Sequence, residues 1–240
     1  MKEEYSEKST VKEIKARFDQ DVERFSSLDT AQQTVIDAQY CLEIITEAAR
    51  YVSSTANSLL DIGCGAGNYS LKMLQKLPGL NCTLIDLSLP MLQKAQERVS
   101  QETTGSVQIL QADIRELDLP ENEFSIAFAG AVLHHLRADS EWELVFKKIY
   151  RALKPGAGFW ICDLVSNDVP AIQQLFEKKY AEFLTGLGGA DYKNHVLAYI
   201  KREDTPRSVF YQLDLMKKVG FRQVEILHKN SCFAAFGGIK

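Results

Sequence analysis

No apolar run in this chain approaches the roughly 20 residues that a bilayer-spanning helix needs, so membrane insertion is not expected. Cysteine is sparse and badly arranged for cross-linking. The five present, Cys41, Cys64, Cys82, Cys162 and Cys232, are odd in number and never form a close C-x-x-C pair, which argues against a disulfide framework and a zinc ribbon alike. Excess positive charge is also missing. With 28 basic against 32 acidic side chains, a net charge of -4 gives no general attraction to a phosphate backbone, so nucleic acid is a disfavoured partner. The first eighteen residues, MKEEYSEKSTVKEIKARF, alternate charges where a secretory leader would be apolar, and a cytoplasmic location is expected. Internal repeats and low-complexity stretches are absent, and no group of Asp, His and Glu shows metal-ligand spacing along the chain, so no metal is expected.

What is present is a regular alternation. Apolar positions at Val35, Ala38, Leu42, Ile45, Ala49 and Val52 recur three and four apart and predict a helix over residues 32–52. Beyond it, short β-rich runs (SLLDI, CTLID, SVQIL, FSIAFA, GFWICDL) alternate with helical stretches, the rhythm of a mainly parallel sheet covered on both faces. A 240-residue chain of this kind is expected to form one domain. Residues 1–55 would supply an N-terminal helical cover. Residues 166–205 interrupt the alternation with two Phe- and Tyr-rich helical patterns around Thr185-Gly186-Leu187-Gly188-Gly189, and are expected to form a lid. Thr205-Pro206 is expected to open a helix closed by Gly220, and two β-like runs around Lys229-Asn230 to end the chain as a hairpin.

The chemistry concentrates in Leu59-Leu60-Asp61-Ile62-Gly63-Cys64-Gly65-Ala66-Gly67-Asn68, an apolar strand that enters a glycine-rich turn and then a helix. Glycines at such a turn permit positive φ and let a ligand approach the backbone, at the strand ends where open α/β sheets bind ligands. A dinucleotide site would read G-x-G-x-x-G around a pyrophosphate. Here the spacing is G-x-G-x-G with an acid in front, which weakens a nicotinamide-dependent oxidoreductase: Asp61 repels a pyrophosphate but suits a ligand with an ammonium and a sulfonium. Asp86 ends the second strand, where a carboxylate can accept both hydroxyls of a ribose. Ser88 is the better helix cap and leaves Asp86 for the ligand. Asp113, at the end of the third strand, can accept from an adenine amino group, with the Ile114 N–H facing a ring nitrogen.

Together these residues resemble the class I S-adenosylmethionine-dependent methyltransferase family. Asp61-x-Gly63-x-Gly65-x-Gly67 resembles its first motif, Asp86 its ribose acid and Ala112-Asp113 its adenine motif. Phe124 through Leu136 resembles the fourth-strand motif, and Leu153-Lys154-Pro155-Gly156 the turn before the fifth strand. Val132-Leu133-His134-His135-Leu136 and the lead-in Arg17-Phe18-Asp19 are closest to the ubiquinone/menaquinone-biosynthesis-like subgroup. The resemblance implies a Rossmann-like doubly wound α/β sheet of seven strands, order 3-2-1-4-5-7-6 with strand 7 antiparallel. It implies S-adenosylmethionine as cofactor, held by Asp61, Gly63, Gly65, Gly67, Asp86, Leu87, Asp113, Ile114 and Ala129, and transfer of its methyl group to a small-molecule acceptor. RNA, protein, or no acceptor at all in a binding module are the alternatives.

Transfer from a sulfonium gains most from holding the acceptor in line, and a base is needed only if the acceptor must lose a proton. His135, by analogy with relatives that place a histidine beyond strand four, and Asp163, at the end of strand five, are the catalytic candidates. Tyr192 and His195 in the lid, and Lys201, Arg202 and Arg207 around Thr205-Pro206, are further candidates for touching an acceptor or, for the lid aromatics, a second copy in a homodimer.

Overall fold

The computed structural model describes residue 5, residues 7–26 and residues 33–240. A seven-stranded sheet runs through the molecule in the order β3-β2-β1-β4-β5-β7-β6. The strands are β1 Ser58–Ile62, β2 Asn81–Asp86, β3 Val107–Gln111, β4 Phe124–Gly130, β5 Leu153–Leu164, β6 Gln223–Asn230 and β7 Phe233–Ile239. The first five pair in parallel, while β7 is antiparallel to both β5 and β6. This is the expected topology.

Period-2 alternation sends successive side chains of the central strands to opposite faces. Along β4, Ile126 and Phe128 join a core with Ile45 of α3 (Ala38–Val52), Met73 of α4 (Asn68–Leu74) and Leu92 of α5 (Leu89–Glu102). Ala127 and Ala129 face the other core, against Trp142 and Phe146 of α6 (Asp139–Ala152) and Met216 of α8 (Val209–Val219). Both faces are therefore dry, which is why the strands read as near-continuous apolar runs.

Two short helices, α1 (Val11–Gln20) and α2 (Val22–Ser26), precede α3. Thr10 and Glu13 start α1 with a reciprocal capping box. The long helical segment α7 (Pro170–Glu203) lies over the carboxyl ends of the strands, where Tyr180, Leu184 and Val196 bury against Leu164 and Phe233. It kinks at Gly188 and Gly189, the latter at φ +80, within the predicted glycine interruption.

Three local expectations are corrected. The first helix starts at Ala38, because Asp37 sits at φ 58 and residues 33–37 are turn; position 32 lies outside the described residues. The final hairpin turns at Ser231-Cys232, with Ser231 at φ 54, two residues beyond Lys229-Asn230. Helix α8 is capped by Ser208, whose Oγ accepts from Tyr211 N, and not by Thr205. All five cysteines are buried and unpaired. Among the described residues no helix is long and apolar enough to cross a membrane.

Candidate active site

The carboxyl ends of β1, β2, β4 and β5 open into one cavity that α1, α2 and α7 close from above. At its floor, β1 runs into the glycine turn, with Gly63, Gly65 and Gly67 at φ +63, +52 and +84. Asp86 at the tip of β2 holds this turn to the neighbouring loop: one carboxylate oxygen accepts from Gly65 N at 2.8 Å and the other from Ser88 N at 2.9 Å. Ser88 caps α5 as expected, yet Asp86 is not free of backbone partners. Each oxygen keeps a further lone pair. Burial raises the Asp86 carboxyl above its ordinary range, against the two amide hydrogen bonds.

Gly63, Gly65, Asp86, Leu87, Asp113 and Ile114 line the cavity together. Asp113 is turned toward Arg115, which grips both its oxygens, at 3.1 and 2.6 Å to Oδ2. Burial would raise the Asp113 carboxyl, but Arg115 outweighs it and holds it low. Asp61, Gly67 and Ala129 sit behind the lining. Ala129 packs in the core, and the neighbouring Gly130 and Ala131 reach the cavity instead. Tyr69 lies so close over Gly130 that a Cβ there would come within 2.1 Å of its ring.

Asp61 is fully buried and turned toward α4, where its Oδ2 accepts from Ser70 Oγ at 2.6 Å and Ser70 N at 3.2 Å. Its Oδ1 has no partner among the described residues. Burial lifts its pKa from 3.8 to about 6, against the two bonds from Ser70. An acid whose folded pKa exceeds its unfolded value favours the folded state at low pH and loses that advantage as pH rises from the unfolded toward the folded pKa. With a gap of about 2 units this is worth on the order of 3 kcal/mol. Asp61→Asn keeps an acceptor for Ser70 and does not titrate. Thermal melts of the ligand-free proteins across this window should therefore show wild type losing stability relative to the variant as pH rises; a pH-independent difference would contradict the buried-acid assignment.

The opposite end of the cavity is formed by a 3-10 turn, Leu133–His135, beyond β4. His134 Nδ1 contacts Asp163 Oδ1, and Asp163 also accepts from His134 N at 3.2 Å and Leu164 N at 2.8 Å. Burial lowers the His134 pKa, but Asp163 and Asp204 outweigh it and raise it to about 9. His135, its ring 4.3 Å from that of His134, is pushed below its ordinary pKa by burial and by His134. Among the described residues neither of its ring nitrogens has a well-aligned hydrogen-bond partner, although Nδ1 lies 3.2 Å from Asp204 Oδ1.

Asp204 and Arg17 are the site residues that sequence reasoning missed as such. Asp204, at the end of α7, approaches both histidines, and Thr205 N donates to His134 O at 2.7 Å. Arg17 of α1 binds Glu203 with both carboxylate oxygens and covers the Phe18 ring at 4.3 Å. The Arg17–Glu203 contact joins chain positions that are 186 residues apart, and no local pattern announces it. His195 is exposed and Tyr192 packs with the α7 cluster. Arg207 binds Asp139 at 2.7 Å.

Residues 59–156 match a family model described as a methyltransferase domain. With the sheet order, this match makes the chain similar to the class I S-adenosylmethionine-dependent methyltransferases. The chain is 24% identical over 188 residues to the demethylmenaquinone methyltransferase of Listeria monocytogenes serotype 4a, covering 76% of this chain and 78% of that one. It is 28% identical over 153 residues to the enzyme of the same name from Chlamydia trachomatis serovar L2, of which it spans 64%, with 64% of this chain aligned. Human N-acetylserotonin methyltransferase, solved with S-adenosylmethionine, shares the fold at TM-score 0.61 and 18% identity over 94% of this chain and 56% of that one. So does an S-adenosylmethionine-dependent methyltransferase from Aquifex aeolicus, at TM-score 0.60 and 14% identity over 92% and 97%. The lining leaves room for such a cofactor: a Cβ added at Gly65 would meet nothing within 4 Å, so the turn leaves open space above its backbone beside the Asp86 carboxylate.

Proposed function

We propose that this methyltransferase acts on a small, largely apolar, ring-bearing acceptor that loses a proton on methylation. The observation that carries the reading is the cavity itself. It is enclosed by Phe18 and Phe25 from the N-terminal helices and by Tyr180 and Tyr199 from α7, with the His134–His135 turn as its polar end. The cavity lies under a cover of α1, α2 and α7 that a folded RNA or protein would have to displace. The names of the Listeria and Chlamydia relatives, which give demethylmenaquinone as their acceptor, point the same way.

In this reading the turn from Gly63 to Gly67, Asp86, Leu87, Asp113 and the Ile114 backbone hold the cofactor, with Asp61 bracing the turn from behind through Ser70. When bound, S-adenosylmethionine supplies an electrophilic methyl on its sulfonium. The chain's own contribution is orientation and proton handling: aromatic walls fix the acceptor ring, and His135 meets its reacting end. Asp163 acts at one remove by fixing His134. The segment from 166 to 205 serves as the lid.

The test is the destination of labelled methyl. Full-length protein given methyl-tritiated S-adenosylmethionine and a fractionated cell extract should label the low-mass, organic-soluble fraction, and His135→Ala should cut that labelling about 100-fold with cofactor affinity nearly unchanged. Label confined to RNA or protein, or full turnover by the His135 variant, would overturn the reading.

A further inference from the structure

His134, His135 and Asp204 present three donor atoms toward the cavity, all within 4.8 Å of one another. We propose that these residues form a site for a divalent transition-metal ion of the zinc type, bound through His134 Nε2, His135 Nδ1 and Asp204 Oδ1. The inference rests on the acceptor reading above for its purpose, because the ion would face the acceptor's reacting end.

Three features of the cluster support it. First, the spacing is that of ligands around one ion. Metal–nitrogen and metal–oxygen bonds of about 2.0–2.2 Å place tetrahedral ligands roughly 3.3–3.5 Å apart. Asp204 Oδ1 lies 3.2 Å from His135 Nδ1 and 3.7 Å from His134 Nε2. Second, among the described residues Asp204 Oδ1 and both ring nitrogens of His135 are buried without a well-aligned hydrogen-bond partner, a costly arrangement that coordination would satisfy.

Third, the outer contacts of a metal site are already made. Asp163 holds His134 by Nδ1, which turns Nε2 toward Asp204, and such a carboxylate–histidine pair is the usual support of a metal-bound imidazole. Two imidazoles and a carboxylate select borderline metals over magnesium or calcium. Three protein ligands beside an open cavity leave a coordination position for the acceptor, whose hydroxyl would lose its proton to solvent more readily on the metal. Sequence reasoning found no such site because Asp204 stands 69 positions beyond His135.

Chelator-stripped full-length protein, free of S-adenosylmethionine, is titrated with zinc, cobalt(II) and magnesium by calorimetry and absorption. The expected results are one zinc per chain, cobalt ligand-field bands of nitrogen–oxygen coordination, and no magnesium binding. Asp204→Ala and His135→Ala should each weaken zinc by at least about 100-fold, and Asp163→Asn by about 10- to 100-fold, with circular dichroism confirming the fold. Zinc binding that survives Asp204→Ala would place the ion elsewhere, for instance at the exposed His228–Asp37 pair, and would overturn the site, as would no binding of zinc or cobalt. Cofactor affinity and methyl transfer are measured on the same stripped samples. If both persist undiminished without metal, the transferase reading stands and this inference falls.

Discussion

Asp86→Ala is expected to weaken S-adenosylmethionine binding by at least about 100-fold in a calorimetric titration. The carboxylate accepts the Gly65 and Ser88 amides and so sets the shape of the turn, and its remaining lone pairs are the ones available to ribose hydroxyls. A hydrogen bond to a charged group is worth roughly 1.5–3 kcal/mol, so losing a pair of them corresponds to about two or more powers of ten in affinity. The fold should survive, because burial already disfavours this charge in the ligand-free protein. Asp86→Asn, which retains one acceptor for Gly65, should fall between the two. Affinity unchanged in the alanine variant would remove Asp86 from the cofactor site.

Two neighbouring glycines should respond in opposite ways to alanine. At Gly63 the new Cβ would lie 2.4 Å from Val132 Cγ2 and 2.7 Å from its Cβ, with φ at +63. Left-handed strain of about 1–2 kcal/mol adds to overpacking of about 1–3 kcal/mol, so Gly63→Ala should lose roughly 2–5 kcal/mol. The corresponding fall in melting temperature is roughly 5–15 °C for a chain of this size. Because Val132 leads into the 3-10 turn, the histidine pair should shift with it. At Gly65, φ is +52 and a Cβ meets nothing within 4 Å, so Gly65→Ala should cost only the backbone strain, about 1–2 kcal/mol. Its methyl would instead occupy cavity space beside Asp86, and cofactor affinity should fall by about 10-fold or more. Melting curves and titrations on both variants separate the roles. Equal losses of stability would contradict the packing described for Gly63.

The features legible in the sequence are those written locally. The apolar strands, the glycine turn and the acids at successive strand tips are each encoded within a few residues, and together they carry the family resemblance that implies the sheet order and the cofactor. Boundaries were less legible where a distant contact decides them. Thr205-Pro206 has the chemistry of a helix start, but Thr205 N is committed to His134 O, and the helix begins three residues later at Ser208. The hairpin turn follows the register of Phe233 and Ala235 on β7 and an irregularity between Ile226 and His228, not the local Lys229-Asn230 signal.

The candidate site divides in the same way. Gly65 and Asp86 meet as neighbouring strand tips should. The orientation of Asp61 toward Ser70 and of Asp113 toward Arg115 depends on side-chain packing, which periodicity does not carry. Arg17 and Asp204 come from opposite ends of the chain, and in sequence each is an ordinary charged residue near a helix end.

A crystal structure with S-adenosylhomocysteine is the most direct test of the central claim, that one cavity joins the glycine turn to the histidine pair. The adenosyl group should lie over Gly65 with its ribose on Asp86, and its sulfur should face the space in front of His135. A ligand bound outside this cavity, or the space between turn and histidines filled by side chains in the complex, would contradict it.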